Sequence, residues 1–254
     1  MTVFDCNACY GIFSVPPHKR ADTVAELLDE MDFCGVHNAM VHHAAQVDES
    51  PEIGNPLLCE QIAPHERLAA SWAILPFQTG ELGDLPGFIA AMRANNVRAL
   101  WAFPSRHRYL LDGVTFGDLF DEMIARRIPL FLRREEGSGG FAGWALAAAV
   151  LRDFPKLRVA MVGHGSWGED RQFRPLMKRY EGFHVDTSHY ELDGGIAAIC
   201  SKYGPDRLLF GSGFPGTGMG GALLTLLHCD ASDEHKAAIA GGNLARLLEE
   251  VDLT

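Results

Sequence analysis

The sequence lacks the features that would place the protein in a membrane or mark it for export. No run of apolar residues approaches the roughly 18 that a membrane-spanning helix needs. The opening residues, MTVFDCNACYG, contain no basic segment followed by an apolar one, so they are not typical of a signal peptide. We therefore expect a cytoplasmic protein without a membrane partner.

Positive charge is also scarce in this sequence. Lys and Arg together number 22 against 33 Asp and Glu, which gives a formal net charge of −11 at pH 7. So acidic a surface repels phosphate backbones, and we expect no nucleic acid partner. Local arginines can still attract an anion, so the expected partner is a small molecule that is itself anionic. Self-association into a homo-oligomer stays open.

The six cysteines are scattered along the chain. In a cytosolic protein such cysteines are more often thiols than disulfides. Cys6 and Cys9 form one C-x-x-C pair. Without a second half-site, this pair is a weak signal for zinc or for redox chemistry.

Apolar, β-prone runs recur along the 254 residues, and each is followed by a helical pattern. Their spacing of about 25 to 36 residues is the length of one strand–helix unit in a (β/α)8 barrel. Nearly continuous apolar character, as in LAASWAIL at 68–75, favours parallel strands covered on both faces. The predicted strands begin near Val3, Ala39, Leu68, Val97, Ile128, Arg158, Phe183 and Arg207.

Helix signals lie between these runs. Thr23 and Glu26 form a capping box, and Leu119, Phe120, Met123 and Ile124 make an apolar stripe. The tail 232–251 is predicted to form one further helix. No linker divides the chain, so we expect a single α/β domain over residues 1–254. An open doubly wound sheet would need a glycine-rich phosphate turn after an early strand, and none is present.

Four segments together resemble a known family. They are FDCNACYG at 4–11, VGHG at 162–165, DRLLFGSGFP at 206–215 and GNLARLL at 242–248. In this order they resemble the amidohydrolase-2 branch of the metal-dependent hydrolases, which contains decarboxylases and lactonases of small carboxylated rings. The resemblance implies a (β/α)8 TIM barrel with its site at the C-terminal ends of the strands.

The positions at which the resemblance implies metal ligands have mostly changed. The two histidines expected after the first strand are Asn7 and Cys9, the strand-five position is Arg133, and the strand-eight aspartate is Gly213. Only His164 is retained. Asparagine, arginine and glycine are not zinc ligands, so we expect no metal cofactor. The alternative is one zinc in a non-standard site built from Cys9, His164 and either His42 or His189.

The candidate catalytic residues are His164 and Cys9. A histidine freed from metal titrates near neutrality and is able to act as a general base, unless it is kept only for packing. Cys9 is a nucleophile only if a base lies close, and an unreactive buried thiol is the commoner outcome.

The candidate substrate-binding residues are polar or aromatic and follow predicted strands. A guanidinium at Arg133 can hold a carboxylate or phosphate, although pairing with Glu135 or Glu136 is an equal alternative. For the others, a purely structural role is the competing interpretation. The full set is Arg133, Arg106, Asn7, His42, His189 and Trp101.

Three functions are compatible with these residues. The first is a metal-independent hydrolase or lyase acting on a small carboxylated compound, which we favour. The second is a non-catalytic barrel that keeps ligand binding or an interaction surface. The third is a hydrolase with a rebuilt Cys/His metal site. Metal content separates the third from the others, and turnover separates the first from the second.

Overall fold

The parallel strands form one closed ring, as the repeating strand–helix units predict. The computed structural model describes residues 1–136, 142–163 and 169–254. Every strand pair in this part of the chain is parallel. The strands are β1 (Phe4–Tyr10), β2 (Asn38–His43), β3 (Leu68–Ala70), β4 (Trp72–Ala73), β5 (Leu100–Ala102), β6 (Leu130–Arg133), β7 (Val159–Val162), β8 (Phe183–Asp186) and β9 (Leu208–Leu209).

Two seams separate a three-stranded sheet, β1–β2–β3, from a six-stranded sheet, β4 to β9. At the first seam, Ser71 interrupts a single run, so β3 and β4 occupy one position in the ring. The Ser71 hydroxyl donates to the Val41 carbonyl at 2.7 Å and accepts the Trp101 indole N–H at 2.9 Å. These bonds join the two sheets through a side chain.

The second seam closes the barrel between its first and last strands. The amide of Cys6 donates to the Phe210 carbonyl at 2.8 Å, and the amide of Cys9 donates to the Phe214 carbonyl at 2.9 Å. Ala8 and Phe214 form an isolated parallel bridge. All eight predicted strand positions are therefore present in the barrel.

Helices cover the outside of the ring. Side chains alternate along each strand, so Trp101 and Phe131 pack in one buried cluster, whereas Leu100 and Leu130 pack in another that includes the helices. The α-helices are α1 (Val24–Cys34), α2 (Ala44–Asp48), α3 (Pro51–Ile62), α4 (Leu85–Ala94), α5 (Pro104–His107), α6 (Gly113–Arg126), α7 (Ala142–Asp153), α8 (Asp170–Arg179), α9 (Gly195–Tyr203), α10 (Met219–His228), α11 (Asp233–Ala237) and α12 (Asn243–Glu249). A short 3₁₀ helix spans Phe77–Thr79.

The predicted helix signals are confirmed at the start of α1 and along α6. Thr23 caps α1 with the expected capping box to Glu26. Leu119, Phe120 and Met123 are buried along α6. The described helices include none long and apolar enough to cross a bilayer.

The predicted C-terminal helix contains a π-helical segment, Ala238–Gly242, between α11 and α12. The carbonyl of Ile239 accepts the amide of Phe210 at 2.9 Å, which ties this segment to the end of β9. Gly241 approaches the first strand so closely that a Cβ there would lie 2.7 Å from the Thr2 carbonyl oxygen. The predicted single helix is thus interrupted by a π-helical segment where it contacts the barrel.

Candidate functional site

A cavity of about 310 Å³ opens at the C-terminal ends of the strands. The loop at 13–17 contributes to its rim. We call it the mouth cavity and define it by the lining residues Asn7, Cys9, Arg133, Gly163, His189 and Gly213. In (β/α)8 barrels, this end of the ring is where binding and catalytic residues gather. Four of the predicted site residues, Asn7, Cys9, Arg133 and His189, are thus brought together.

Arg133 ends β6 and presents a guanidinium to the mouth cavity. Its Nη2 lies 2.7 Å from His42 Nε2, and its Cζ lies 5.0 Å from the Phe103 ring centroid and 6.0 Å from that of Trp101. Among the described residues, no carboxylate lies within ion-pair distance of Arg133. The pairing with Glu135 or Glu136 that competed with ligand binding is therefore not formed.

Both of those glutamates have other partners. Glu135 lies 3.4 Å from the guanidinium of Arg134, and the Glu136 carboxylate accepts the Ser105 amide at 3.0 Å. Burial raises the pKa of Glu136, against that hydrogen bond and the positive charge of Arg133. Glu135 also lines the mouth cavity, but neither glutamate forms an ion pair with Arg133, whose N–H groups stay available for a ligand.

His42 is the last but one residue of β2 and lies behind Arg133, outside the lining of the mouth cavity. A guanidinium only donates, so His42 Nε2 accepts and the ring proton sits on Nδ1. Burial and the charge of Arg133 lower the pKa of His42 well below its usual range. The neutral imidazole therefore orients Arg133 and does not itself face a ligand.

Asp186 ends β8 directly beneath the mouth cavity. Its carboxylate accepts the Asn7 side-chain N–H at 3.3 Å and the Gly163 amide at 3.0 Å, and it is fully buried. Burial raises the pKa of Asp186 to about 7, opposed by hydrogen bonding with Ser188, Asn7 and Gly163 and assisted by the negative charge of Asp5. The Asp186 carboxyl group thus changes charge near neutral pH, and it is hydrogen-bonded to two residues that line the mouth cavity.

Asp5 lies on β1 at the seam between the first and last strands. One of its oxygens accepts the amides of Asn7 and Ser212, each at 2.9 Å. The other oxygen has no hydrogen-bond partner among the described residues. Burial raises the pKa of Asp5. Asp5 therefore helps to close the barrel and places a second carboxyl group near Asp186.

Cys9 lines the mouth cavity but is only 2% exposed. Burial raises the pKa of its thiol to about 12, and the opposing charge of Arg133 does not cancel that effect. A thiol that stays protonated at neutral pH is a weak nucleophile and a weak metal ligand. The surroundings of Cys9 therefore favour the unreactive alternative.

Gly213 stands where the resemblance implies an aspartate. Its φ of +69° lies in the left-handed region, which side chains rarely adopt. A Cβ at this position would lie 2.8 Å from Thr217 Oγ1 and 3.8 Å from His189 Nε2. The backbone conformation here suits glycine, and His189 lies near the space that a side chain at this position would enter.

Two other predicted binding residues lie outside the lining of the mouth cavity. Arg106 forms an ion pair with Asp48, whose carboxylate also accepts the Ser14 amide at 2.8 Å. Trp101 is fully buried and stacks on Phe103 with ring centroids 5.7 Å apart. Arg106 therefore stabilises the loops around the mouth cavity, and the Trp101 ring packs beside the Arg133 guanidinium.

His164, the retained ligand position, lies outside the described residues.

The described residues of the mouth do not fit a divalent cation. Asn7 donates to Asp186, Arg133 brings a positive charge, and the Cys9 thiol is protonated. In residues 1–136, 142–163 and 169–254, no three His, Cys, Asp or Glu side chains are grouped to hold a metal ion.

Asp5 and Asp186 were not among the residues predicted to form the site. Both stand on strands that face the mouth, and Asp186 is the last residue of the run FHVD at 183–186. An acidic residue at the carboxyl end of a parallel strand was the available signal. The sequence did not show that Asp186 would be hydrogen-bonded at the mouth, because its partners, Asn7 and Gly163, are distant from it in sequence.

Comparison with known proteins supports the predicted family and fold. The family model described as Amidohydrolase matches residues 144–249. No protein of curated function matches the sequence. The uncharacterized Tim-barrel protein Bb4693 from Bordetella bronchiseptica superposes with a TM-score of 0.79 at 16% identity, covering 98% of this chain and 99% of that chain. The chain therefore has the TIM-barrel fold that was predicted, and its residues 144–249 match the amidohydrolase family model.

Two of the similar structures are decarboxylases. The 2,6-dihydroxybenzoate decarboxylase from Rhizobium has a TM-score of 0.76 at 15% identity, with 98% of each chain covered. The 5-carboxyvanillate decarboxylase from Novosphingobium aromaticivorans, with bound manganese, has a TM-score of 0.73 at 11% identity, covering 98% of this chain and 97% of that chain. At these identities, the likeness shows a shared fold.

Proposed function

We propose that this amidohydrolase-like barrel binds a small carboxylated compound in its mouth cavity and acts on it as a lyase or hydrolase without a resident metal. The observation that carries the proposal is Arg133, a guanidinium that lines the cavity without a carboxylate partner among the described residues. A half-buried cation in a chain of net charge −11 is expected to attract an anion.

The surroundings of Arg133 suit a carboxylate ligand. His42 and the rings of Trp101 and Phe103 hold one side of the guanidinium. The remaining N–H groups can donate two parallel hydrogen bonds to a carboxylate, which is the strongest geometry for this pair. A cavity of about 310 Å³ has the size of a site for a small molecule.

Asn7 gives the site a second, oriented polar group. Its Nδ2 donates to Asp186, so its Oδ1 is left to accept a hydrogen bond from a ligand hydroxyl. Asp186 acts here as a positioning residue, because Asn7 and Gly163 stand between it and the cavity. His164, which follows Gly163 in the chain, is our proposed general base.

The similar structures narrow the choice of substrates to test. Two are decarboxylases of aromatic carboxylates, and a third relative of this kind holds 2,6-dihydroxybenzoate. We therefore propose aromatic carboxylates first and small lactones second. Proton transfer by a positioned side chain would supply about 10²–10⁴-fold of the rate.

The test combines binding, turnover and metal content. Thermal shift with benzoate and hydroxybenzoates is measured for the natural protein, for Arg133→Gln and for Arg152→Gln, which removes a charge from exposed helix surface paired with Asp153. At ten times Kd, a ligand adds about 1.4 kcal/mol. We expect Arg133→Gln to lose most of that effect and Arg152→Gln to keep it.

Decarboxylation and lactone hydrolysis are then measured after chelator treatment and after adding Mn²⁺ or Zn²⁺. We expect the rate to be unchanged by either treatment and elemental analysis to find well under one divalent metal per chain. Activity that depends on stoichiometric metal would favour the rebuilt site. Binding through Arg133 without turnover of any substrate would favour the non-catalytic barrel.

A further inference from the structure

A second and larger cavity lies at the opposite end of the barrel. It has a volume of about 690 Å³ and lies at the N-terminal ends of β7, β8 and β9, against α12. We call it the basal cavity and define it by His184 and the basic residues around it. Those basic residues are Lys156, Arg158, Arg179, Arg207 and Arg246. His184 lies near the start of β8, whereas Asp186 ends the same strand beneath the mouth.

The basal cavity concentrates positive charge in an acidic protein. Five basic side chains line it against three acidic ones, whereas the whole chain carries a net charge of −11. A local excess of two positive charges in a concave site focuses the field on an anion. The cavity is thus complementary to a dianion.

Several of its N–H donors are not used by the fold. Arg158 forms an ion pair with Glu250 through Nη2, but its Nη1 is buried and has no partner among the described residues. Arg207 donates to the Met177 and Tyr180 carbonyls through Nη1 alone. Arg179 is exposed and donates to no described group.

His184 adds a buried imidazole to the same cavity. The residue is only 8% exposed, and its Nδ1 lies 3.0 Å from the Gly182 carbonyl oxygen. Its Nε2 has no hydrogen-bond partner in the described part of the chain, and the ring lines the cavity. Because the Gly182 carbonyl only accepts, Nδ1 carries the ring proton, and Nε2 of this largely buried ring is left to accept a hydrogen bond or a proton from a bound molecule. This is the second observation that points to a ligand.

We infer that the basal cavity binds a small phosphate-bearing molecule, with Arg158, Arg179 and Arg207 around the phosphate and His184 Nε2 beside them as an acceptor. Guanidinium groups pair with phosphate through two parallel hydrogen bonds. A phosphate monoester carries close to two negative charges at neutral pH, which matches the local excess of positive charge. The cavity exceeds the size of phosphate alone, so room remains for the group that the phosphate carries.

The test uses inorganic phosphate as the probe and thermal unfolding as the measurement. Arg179→Gln is the main variant, because Arg179 is exposed and its loss removes no contact of the fold. Arg171→Gln is the matched control, because Arg171 is exposed on the same helix, α8, and does not line the cavity. Arg133→Gln reports on binding at the mouth, and sodium chloride at equal ionic strength reports on screening.

We expect saturating phosphate to raise Tm by about 3 °C in the natural protein, in Arg171→Gln and in Arg133→Gln. Arg179→Gln should lose at least half of that shift. Equal shifts in Arg179→Gln and Arg171→Gln would overturn the inference, as would a shift lost only in Arg133→Gln. An equal effect of succinate would overturn the choice of phosphate over a dicarboxylate. These comparisons do not depend on whether the proposed function of the mouth cavity is correct.

The titration of His184 gives a second, independent measurement. Burial, together with the charges of Arg158, Arg207 and Arg246, lowers the pKa of His184 to about 4. A dianion bound among these groups would raise the pKa of His184, which NMR of the imidazole nitrogens detects after assignment with His184→Gln. An unchanged titration at saturating phosphate would place the ion elsewhere.

Discussion

Asp186 offers the most direct test of how the mouth is built. Its carboxylate is fully buried and accepts the Asn7 side-chain N–H and the Gly163 amide. We consider Asp186→Asn, which removes the charge and keeps the shape. The new Oδ1 can accept the Gly163 amide, and Asn7 can turn its side-chain amide so that its Oδ1 accepts a hydrogen bond from the new Nδ2. The variant should therefore fold into the same barrel.

The expected magnitude follows from the raised pKa of Asp186. Burial takes this pKa from 3.8 to about 7, so the folded protein holds a proton that the unfolded chain has released. The free energy of unfolding must then fall as pH rises from about 4 through 7. A rise from 3.8 to about 7 corresponds to about 4 kcal/mol in total. About 2.5 kcal/mol of this is lost between pH 5 and pH 8.

Urea unfolding at pH 5, 6, 7 and 8 measures this contribution. We expect the free energy of unfolding of Asp186→Asn to exceed that of the natural protein by a margin that grows by about 2.5 kcal/mol from pH 5 to pH 8. Asp193→Asn is the matched control, because Asp193 is exposed and should show a constant margin. A margin for Asp186→Asn that does not change with pH would refute the buried, nearly neutral carboxyl group.

Two further predictions concern the positions at which the resemblance implies metal ligands. Gly213→Asp should restore the aspartate of the resemblance but lower the free energy of unfolding by about 2 kcal/mol, because the backbone there has a φ of +69° and Thr217 occupies the space. Elemental analysis of this variant should find no gain of metal, and a stoichiometric metal would contradict the fit argument. His164→Gln should lower kcat by about 10²–10⁴-fold in whichever reaction is found, with Tm nearly unchanged. Full activity in that variant would remove the general-base role.

The fold could be predicted because its determinants are local and repeated. Most strand runs are mainly apolar, and helices such as α1 and α6 carry a cap or an apolar stripe of their own, as Thr23 and Leu119 illustrate. The breaks in regular structure were not predicted, because they depend on distant partners. Ser71 interrupts a strand through bonds to Val41 and Trp101, and the π-helical segment follows from a bond between Ile239 and Phe210.

The site could be predicted only in part, for the same physical reason. Asn7, Cys9, Arg133 and His189 reach the mouth cavity because strand ends must meet there. The sequence does not reveal that Arg133 pairs with His42 and not with a glutamate. Such pairings depend on side chains brought together by closure of the ring.

The most specific segments of the resemblance lie where the barrel is held together. Asn243 donates its side-chain amide to the Pro205 and Leu208 carbonyls, and Arg246 donates to the Asp206 carbonyl, so the segment at 242–248 fastens α12 to the entry of β9. This contact lies at the basal end, opposite to the mouth. These contacts involve no residue that lines the mouth cavity. The residues Asn7, Arg133 and Gly213 can therefore differ from those of the resemblance without loss of the contacts that fasten α12 to β9.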